Sequence, residues 1–199
     1  MKQRPHPGFD RLCAAALRLL PVAAGWAGTA YRTVGPKYSR PDEIISGVGA
    51  KLGGGRWNPV GAFNAVYAAT TPETATAETF AHNRHYGIPD YEALPRVMVA
   101  LDARPGRVLD LTAAPVRRAM GLSVTRLLGE DWRREQDRGR AALTQAAGRA
   151  GFEAGFDGLL VPSHAARGGV NLVILPERLG PAALVEVRNP DDLLALRRP

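Results

Sequence analysis

A chain of 199 residues with 45% hydrophobic content can bury a sizeable core of its own and reads most simply as one domain. Its 26 Lys and Arg against 19 Asp and Glu leave a net charge of +7, which favours phosphates, nucleic acid or an acidic protein as partners without choosing among them. The lone Cys13 excludes an internal disulfide framework and a cysteine-rich zinc site, fits a reducing compartment, and reads as a small core residue.

Residues 1–8 are polar and proline-containing and are expected to fray, whereas residues 9–20 repeat in a helical manner. The most apolar stretch, 12–27, carries Arg18 and Pro21, falls short of a bilayer's thickness and lacks a clean small-residue cleavage site. It reads as a short helix and connector, with no membrane association, and predicts a cytoplasmic protein. A first strand is expected at 27–33, followed by a loop over 36–49 with a charged middle that leads into Gly53, Gly54 and Gly55. Residues 65–69 form a short apolar strand, and Thr70, Thr71, Pro72 and Glu73 then open a helix, which puts Glu78 in its second turn. Strands are expected at 95–102 and 108–111, and helices near 115–120, 123–128 and 136–150. The chain then returns to strands at 158–161, 170–175 and 183–187, with a turn at Gly168 and Gly169. Strands and helices without regular alternation predict an α+β fold rather than a doubly wound sheet.

One stretch carries chemistry. Three glycines precede Arg56, and Tyr67 and Glu78 follow at equal steps of eleven residues. Glycine lets backbone N–H groups come close to a ligand, and arginine offers a planar fork for phosphate oxygens. Tyrosine offers a ring face, and glutamate can counter a transient positive charge. A dinucleotide with a cationic ring fits all four. Structural readings compete: Arg56 can stack on Trp57 at the surface, Tyr67 can be a core tyrosine, Glu78 a solvated helix charge, and Ser163 the end of a strand. His82 and His85 follow Glu78 on one helix, but no further Cys or His cluster completes a metal site, so none is expected. The run Glu130 to Glu135 reads as a solvated helix or loop, or as a border of the pocket or of a partner interface. The positive charge comes without a recognition-helix motif or a basic stripe interleaved with aromatics, so direct nucleic-acid binding is not expected.

Ala30-Tyr31-Arg32, Gly54-Gly55-Arg56-Trp57-Asn58, Tyr67, Glu78, Thr144-Gln145, Phe156 to Ser163 and Asn171-Leu172-Val173-Ile174 occur in this order. Together they resemble the RES domain family, named for an arginine, a glutamate and a serine, which are Arg56, Glu78 and Ser163 here. The resemblance is densest over residues 28–178 and assigns 28–199 to the domain and 1–27 to an N-terminal helical extension. It implies a single α+β domain similar to the ADP-ribosyltransferase fold. It also implies a toxin of a type II toxin–antitoxin pair that consumes NAD as substrate, by hydrolysis or by phosphorolysis with inorganic phosphate as co-substrate and without a metal. The alternative is transfer of ADP-ribose to a protein acceptor such as a phosphoribosyl pyrophosphate synthetase. The implied partner is an Xre-like antitoxin that blocks the active site, with a homodimer as the toxin's assembly.

Cleaving the nicotinamide–ribose bond develops an oxocarbenium-like cation. The resemblance makes Arg56, Tyr67, Glu78 and Ser163 the catalytic set, and Tyr31, Arg32, Arg56, Tyr67, Ser163 and Asn171 the NAD-binding set. In that reading Glu78 stabilises the cation and binds ribose hydroxyls or the nucleophile, while Arg56 and Arg32 hold the diphosphate or an attacking phosphate. Tyr67 stacks on nicotinamide or ribose, Ser163 bonds the carboxamide or orients Glu78, and Asn171 supports them.

Overall fold

The computed structural model describes residues 3–92 and 94–195. Among these residues seven strands, β1 (Gly28–Val34), β2 (Val66–Ala69), β3 (Val97–Arg104), β4 (Val108–Asp110), β5 (Gly158–Pro162), β6 (Val170–Ile174) and β7 (Leu184–Val187), make one sheet in the order β4-β5-β6-β2-β1-β3-β7. Only β4 and β5 run parallel; every other neighbouring pair is antiparallel. The helices are α1 (Phe9–Leu19), α2 (Pro41–Ser46), α3 (Val48–Gly53), α4 (Pro72–His85), α5 (Ala114–Met120), α6 (Val124–Gly129), α7 (Trp132–Asp137), α8 (Leu143–Ala154) and α9 (Pro190–Ala195). The mixed order without regular alternation is the α+β architecture the sequence predicts.

The sheet divides the core in two. Leu172 and Ile174 join Ala30, Val66, Val99 and Leu101 on one face, whereas Val173 between them joins Leu159, Val161 and the alanines of α1 and α8 on the other. Successive strand residues point to opposite faces, so a strand covered on both sides must be apolar at consecutive positions. That is why β6 reads as an unbroken Leu-Val-Ile run.

α4 opens as its sequence predicts: the Thr71 hydroxyl accepts the Thr74 N–H at 3.2 Å, with Pro72 at the first helical position. It packs against β1, β2 and β6 and carries Glu78 over their ends. Elsewhere the chain departs from expectation. Residues 36–49 are largely helical rather than a loop: α2 and α3 meet at Gly47, whose φ is +69°. A Cβ there would stand 2.6 Å from the Ala65 nitrogen, so the position needs glycine for both conformation and space. Each helix has six residues, too few for an apolar stripe to show in the sequence. The single helix expected over 136–150 is instead α7 and α8, interrupted where Gly139 takes a φ of +69°.

The expected fraying at the N-terminus does not hold from residue 3 onward. The Arg4 N–H donates to the Gly139 carbonyl at 2.8 Å and its carbonyl accepts from Ala141 at 2.9 Å, while the Gln3 carboxamide reaches Val60 and Gln145. Leu12, Ala15 and Ala16 of α1 lie fully inside the core against α8, so this N-terminal helix contributes to the same core as the strands. Cys13 packs against that core from the flank of the helix, half-buried beside Glu153, and burial raises its thiol pKa. Among the described residues no helix is long and apolar enough to cross a membrane.

Candidate active site

A cleft of about 540 Å³ opens between α4, the ends of β1, β2 and β6, and the 54–57 loop. Glu78 stands on its α4 side. The Ser163 hydroxyl and the Asn171 side-chain N–H both donate to its Oε1, each at 2.7 Å. Ser163 is 4% exposed, and its oxygen in turn accepts the backbone N–H groups of Ala165 and Ala166 at 3.2 and 2.9 Å, so its proton is directed at the carboxylate. Asn171 is placed by the sheet, where β6 lies between β5 and β2 and the residue pairs with Val161 and Ala69. Among the described residues Glu78 Oε2 receives no hydrogen bond. One carboxylate oxygen is thus braced, and the other is available to a ligand.

Arg56 sits on a loop held from every side. Gly55 and Asn58 exchange backbone hydrogen bonds at 2.9 and 3.3 Å, and the fully buried Gln145 donates to the Gly55 carbonyl at 3.1 Å. The Tyr67 hydroxyl accepts from Trp57 N–H at 2.8 Å and donates to Asn58 Oδ1 at 2.7 Å; Asn58 donates to the Ala50 carbonyl at 2.7 Å. The Gly55 N–H is therefore spent inside the turn and not offered to a ligand, as the sequence reading had it. The glycine instead permits contact, because a Cβ on Gly55 would come within 2.5 Å of the Tyr67 oxygen. Arg56 Nη1 donates to the carbonyls of Leu127 and Glu130 at 3.1 and 3.2 Å, at the end of α6, which aims the guanidinium. Burial lowers its pKa, with Glu78 pulling the other way, and arginine still stays charged.

Glu130 anchors this arrangement by two routes. Its carbonyl holds Arg56, and its carboxylate accepts the Leu143 and Thr144 N–H groups at 2.7 and 2.9 Å, capping α8 where the helix dipole favours a negative charge. The sequence of this run suggests a solvated segment or a border of the pocket or a partner interface, not an anchor. An acid thirteen residues ahead of the helix it caps leaves no local signature.

Burial pushes the Tyr67 phenol well above the ordinary tyrosine range, so it stays protonated as a donor. Its ring lines the cleft while its hydroxyl organises the loop behind it. Tyr67→Phe is expected to cost about 1–3 kcal/mol, because the Trp57 N–H and the Asn58 oxygen lose their shared partner in the interior. Urea unfolding of the variant checks this, and a midpoint equal to the parent's would refute the loop-organising role.

Arg32 lies half-buried at the floor of the cleft. Its Nη1 donates to the Tyr67 carbonyl at 2.7 Å, its Nε has no hydrogen-bond partner, and no carboxylate pairs with it among the described residues. Burial lowers its pKa without removing the charge. A half-buried guanidinium without an anionic partner favours an arriving anion. Tyr31, Arg32, Arg56, Tyr67, Glu78 and Asn171 all line the one cleft, and Ser163 reaches it through Glu78. Among the described residues no group of three or more His, Cys, Asp or Glu gathers as a metal site. His82 contacts Arg133, His85 contacts Tyr86, and His164 Nδ1 lies 2.9 Å from the Leu128 carbonyl.

A braced carboxylate and two guanidinium groups lining one cleft define the class: an enzyme-like site suited to an anionic substrate. The chain belongs to the RES domain family, which it matches over residues 29–197. It is 32% identical to the NAD(+) phosphorylase MbcT of Mycobacterium tuberculosis over 151 residues, 75% of this chain and 73% of that protein. The MbcT protein of Mycobacterium bovis matches at the same identity and coverage. Its fold is similar to a chain of the crystal structure of the M. tuberculosis MbcT-MbcA toxin-antitoxin complex, with a TM-score of 0.70, 27% identity, and coverage of 94% of this chain and 97% of that one. The family the motifs resemble is the family to which the chain belongs.

Proposed function

We propose that this chain is the toxin of a toxin–antitoxin pair and cleaves the nicotinamide–ribose bond of NAD by phosphorolysis. The observation that carries the reading is the Glu78 carboxylate, with Oε1 held by Ser163 and Asn171 and Oε2 left for a ligand, in one cleft with a half-buried Arg32 that lacks an anion. The bond between the ribose anomeric carbon and the nicotinamide nitrogen breaks with its electron pair going to the ring, and neutral nicotinamide departs. The cation left on the ribose is stabilised by the charge of Glu78, and a phosphate oxygen then bonds the anomeric carbon to give ADP-ribose-1″-phosphate. Arg32 and Arg56 bind the diphosphate, and Tyr67 and Tyr31 supply ring faces along the cleft. The activity belongs in the cytoplasm, where an Xre-like antitoxin covers the cleft of a homodimeric toxin.

The test is a time course of purified protein with NAD, with and without phosphate, resolving nicotinamide, ADP-ribose and ADP-ribose-1″-phosphate by chromatography. Phosphate-dependent appearance of the sugar phosphate is the expected result. Free ADP-ribose at the same rate without phosphate would replace phosphorolysis with hydrolysis. Absence of nicotinamide release from folded protein would overturn both and direct attention to a protein acceptor.

A further inference from the structure

Arg133 and His82 have no part in the chemistry above, yet both line the cleft. Arg133, in the first turn of α7, lies over the Trp132 ring at 4.4 Å from its centroid and 5.7 Å from that of Tyr86. Its Nη2 is 3.1 Å from His82 Nδ1, its buried Nε has no hydrogen-bond partner, and no carboxylate pairs with it among the described residues. Because a guanidinium only donates, Nδ1 accepts and the imidazole proton resides on Nε2. Burial, then Arg133, Arg96 and His85, lowers the His82 pKa, which keeps this neutral form. A guanidinium fixed over the Trp132 ring and without a carboxylate partner stands beside an imidazole whose Nε2–H is a second donor. His82 lies four residues beyond Glu78 on α4, about 6 Å along the helix axis.

We infer that Arg133 and His82 form a second anion subsite, which takes a phosphate oxyanion. Its occupant is the free phosphate co-substrate rather than a phosphate of the dinucleotide. Arg32 and Arg56 already supply two guanidinium groups for the diphosphate. A phosphate brought up to the anomeric carbon also approaches the Glu78 carboxylate, and like charges in a partly desolvated cleft repel unless a cation stands beside the newcomer. Arg133 is near enough to Arg56 to lower the latter's pKa, so the site's positive field extends to this wall. The inference rests on the phosphorolysis reading for the identity of the anion, but the subsite itself can be probed without turnover.

The experiment titrates inorganic phosphate into the full chain by calorimetry, then measures KM for phosphate at saturating NAD and KM for NAD at saturating phosphate. Arg133→Gln is expected to weaken phosphate binding and raise its KM about tenfold, the loss of a charge-assisted contact, with KM for NAD unchanged. Arg133→Lys, which keeps the charge but not the fork, is expected to recover part of the loss. A rise in KM for NAD alone would overturn the free-phosphate assignment. Unchanged phosphate binding and KM in folded Arg133→Gln would overturn the subsite. If that variant does not fold, His82→Gln decides, with a rise of about threefold expected and no rise refuting the subsite. Arg133-dependent phosphate binding by a parent protein that leaves NAD intact would uphold the subsite while the phosphorolysis reading fails.

Discussion

Glu78→Gln is expected to lower kcat for nicotinamide release by about 10²–10³-fold without disturbing the fold. The geometry makes this a clean substitution. Both protein hydrogen bonds to the side chain arrive at Oε1, from Ser163 and Asn171, and the amide oxygen of glutamine accepts both. The amide nitrogen then replaces Oε2, so what disappears is the charge at the oxygen left for the ligand. A donor at that point also opposes a ribose hydroxyl that would have donated to the carboxylate. Chromatographic rates alongside urea unfolding check both halves, and a folded variant that keeps full activity would remove the carboxylate from the mechanism.

The second large effect is on stability. Gly148 lies in α8 where that helix crosses the Arg56 loop, and a Cβ there would fall 1.8 Å from the Trp57 carbonyl oxygen. Trp57 is 2% exposed and its N–H is fixed by Tyr67, so the loop has nowhere to retreat. Gly148→Ala is expected to destabilise by about 3 kcal/mol, since the strain of overpacking exceeds the roughly 1 kcal/mol that alanine gains over glycine within a helix. Gly129→Ala, whose Cβ would enter open space, serves as the control and should lie within about 0.5 kcal/mol of the parent. Equal urea midpoints for the two variants would show that the helix and loop can part freely. At temperatures where Gly148→Ala remains folded, nicotinamide release should still be reduced, because the same backbone carries Arg56.

Much of this was legible in residue types and their order. Thr71-Pro72 announced α4 and the apolar runs marked the central strands, since capping and strand burial leave local signatures. Tyr31, Arg32, Arg56, Tyr67, Glu78 and Asn171, singled out by motif, line a single cleft. What was not legible depends on contacts between distant segments. Nothing near Glu130 reveals that it caps α8 and holds Arg56, nothing near Gln145 that it ties down Gly55, and Arg133 was one charge within a mixed run. In sequence the glycines suggest N–H groups offered to a phosphate. Their neighbours in space, Tyr67 and Gln136, show that at least Gly54 and Gly55 serve close packing.

The bracing of Glu78 sets an order in time on the ribosome. Its partners are encoded 85 and 93 residues downstream, and the strands that place them pair with β2 and with each other only once β6 exists. At translation rates of about 5–20 residues per second, the carboxylate is synthesised roughly 5–20 s before Asn171. Throughout that interval the nascent chain holds a glutamate without its clamp. Premature termination anywhere before Asn171 would yield a product with an unassembled centre, so a cell making this protein meets its chemistry only from chains that extend past Asn171.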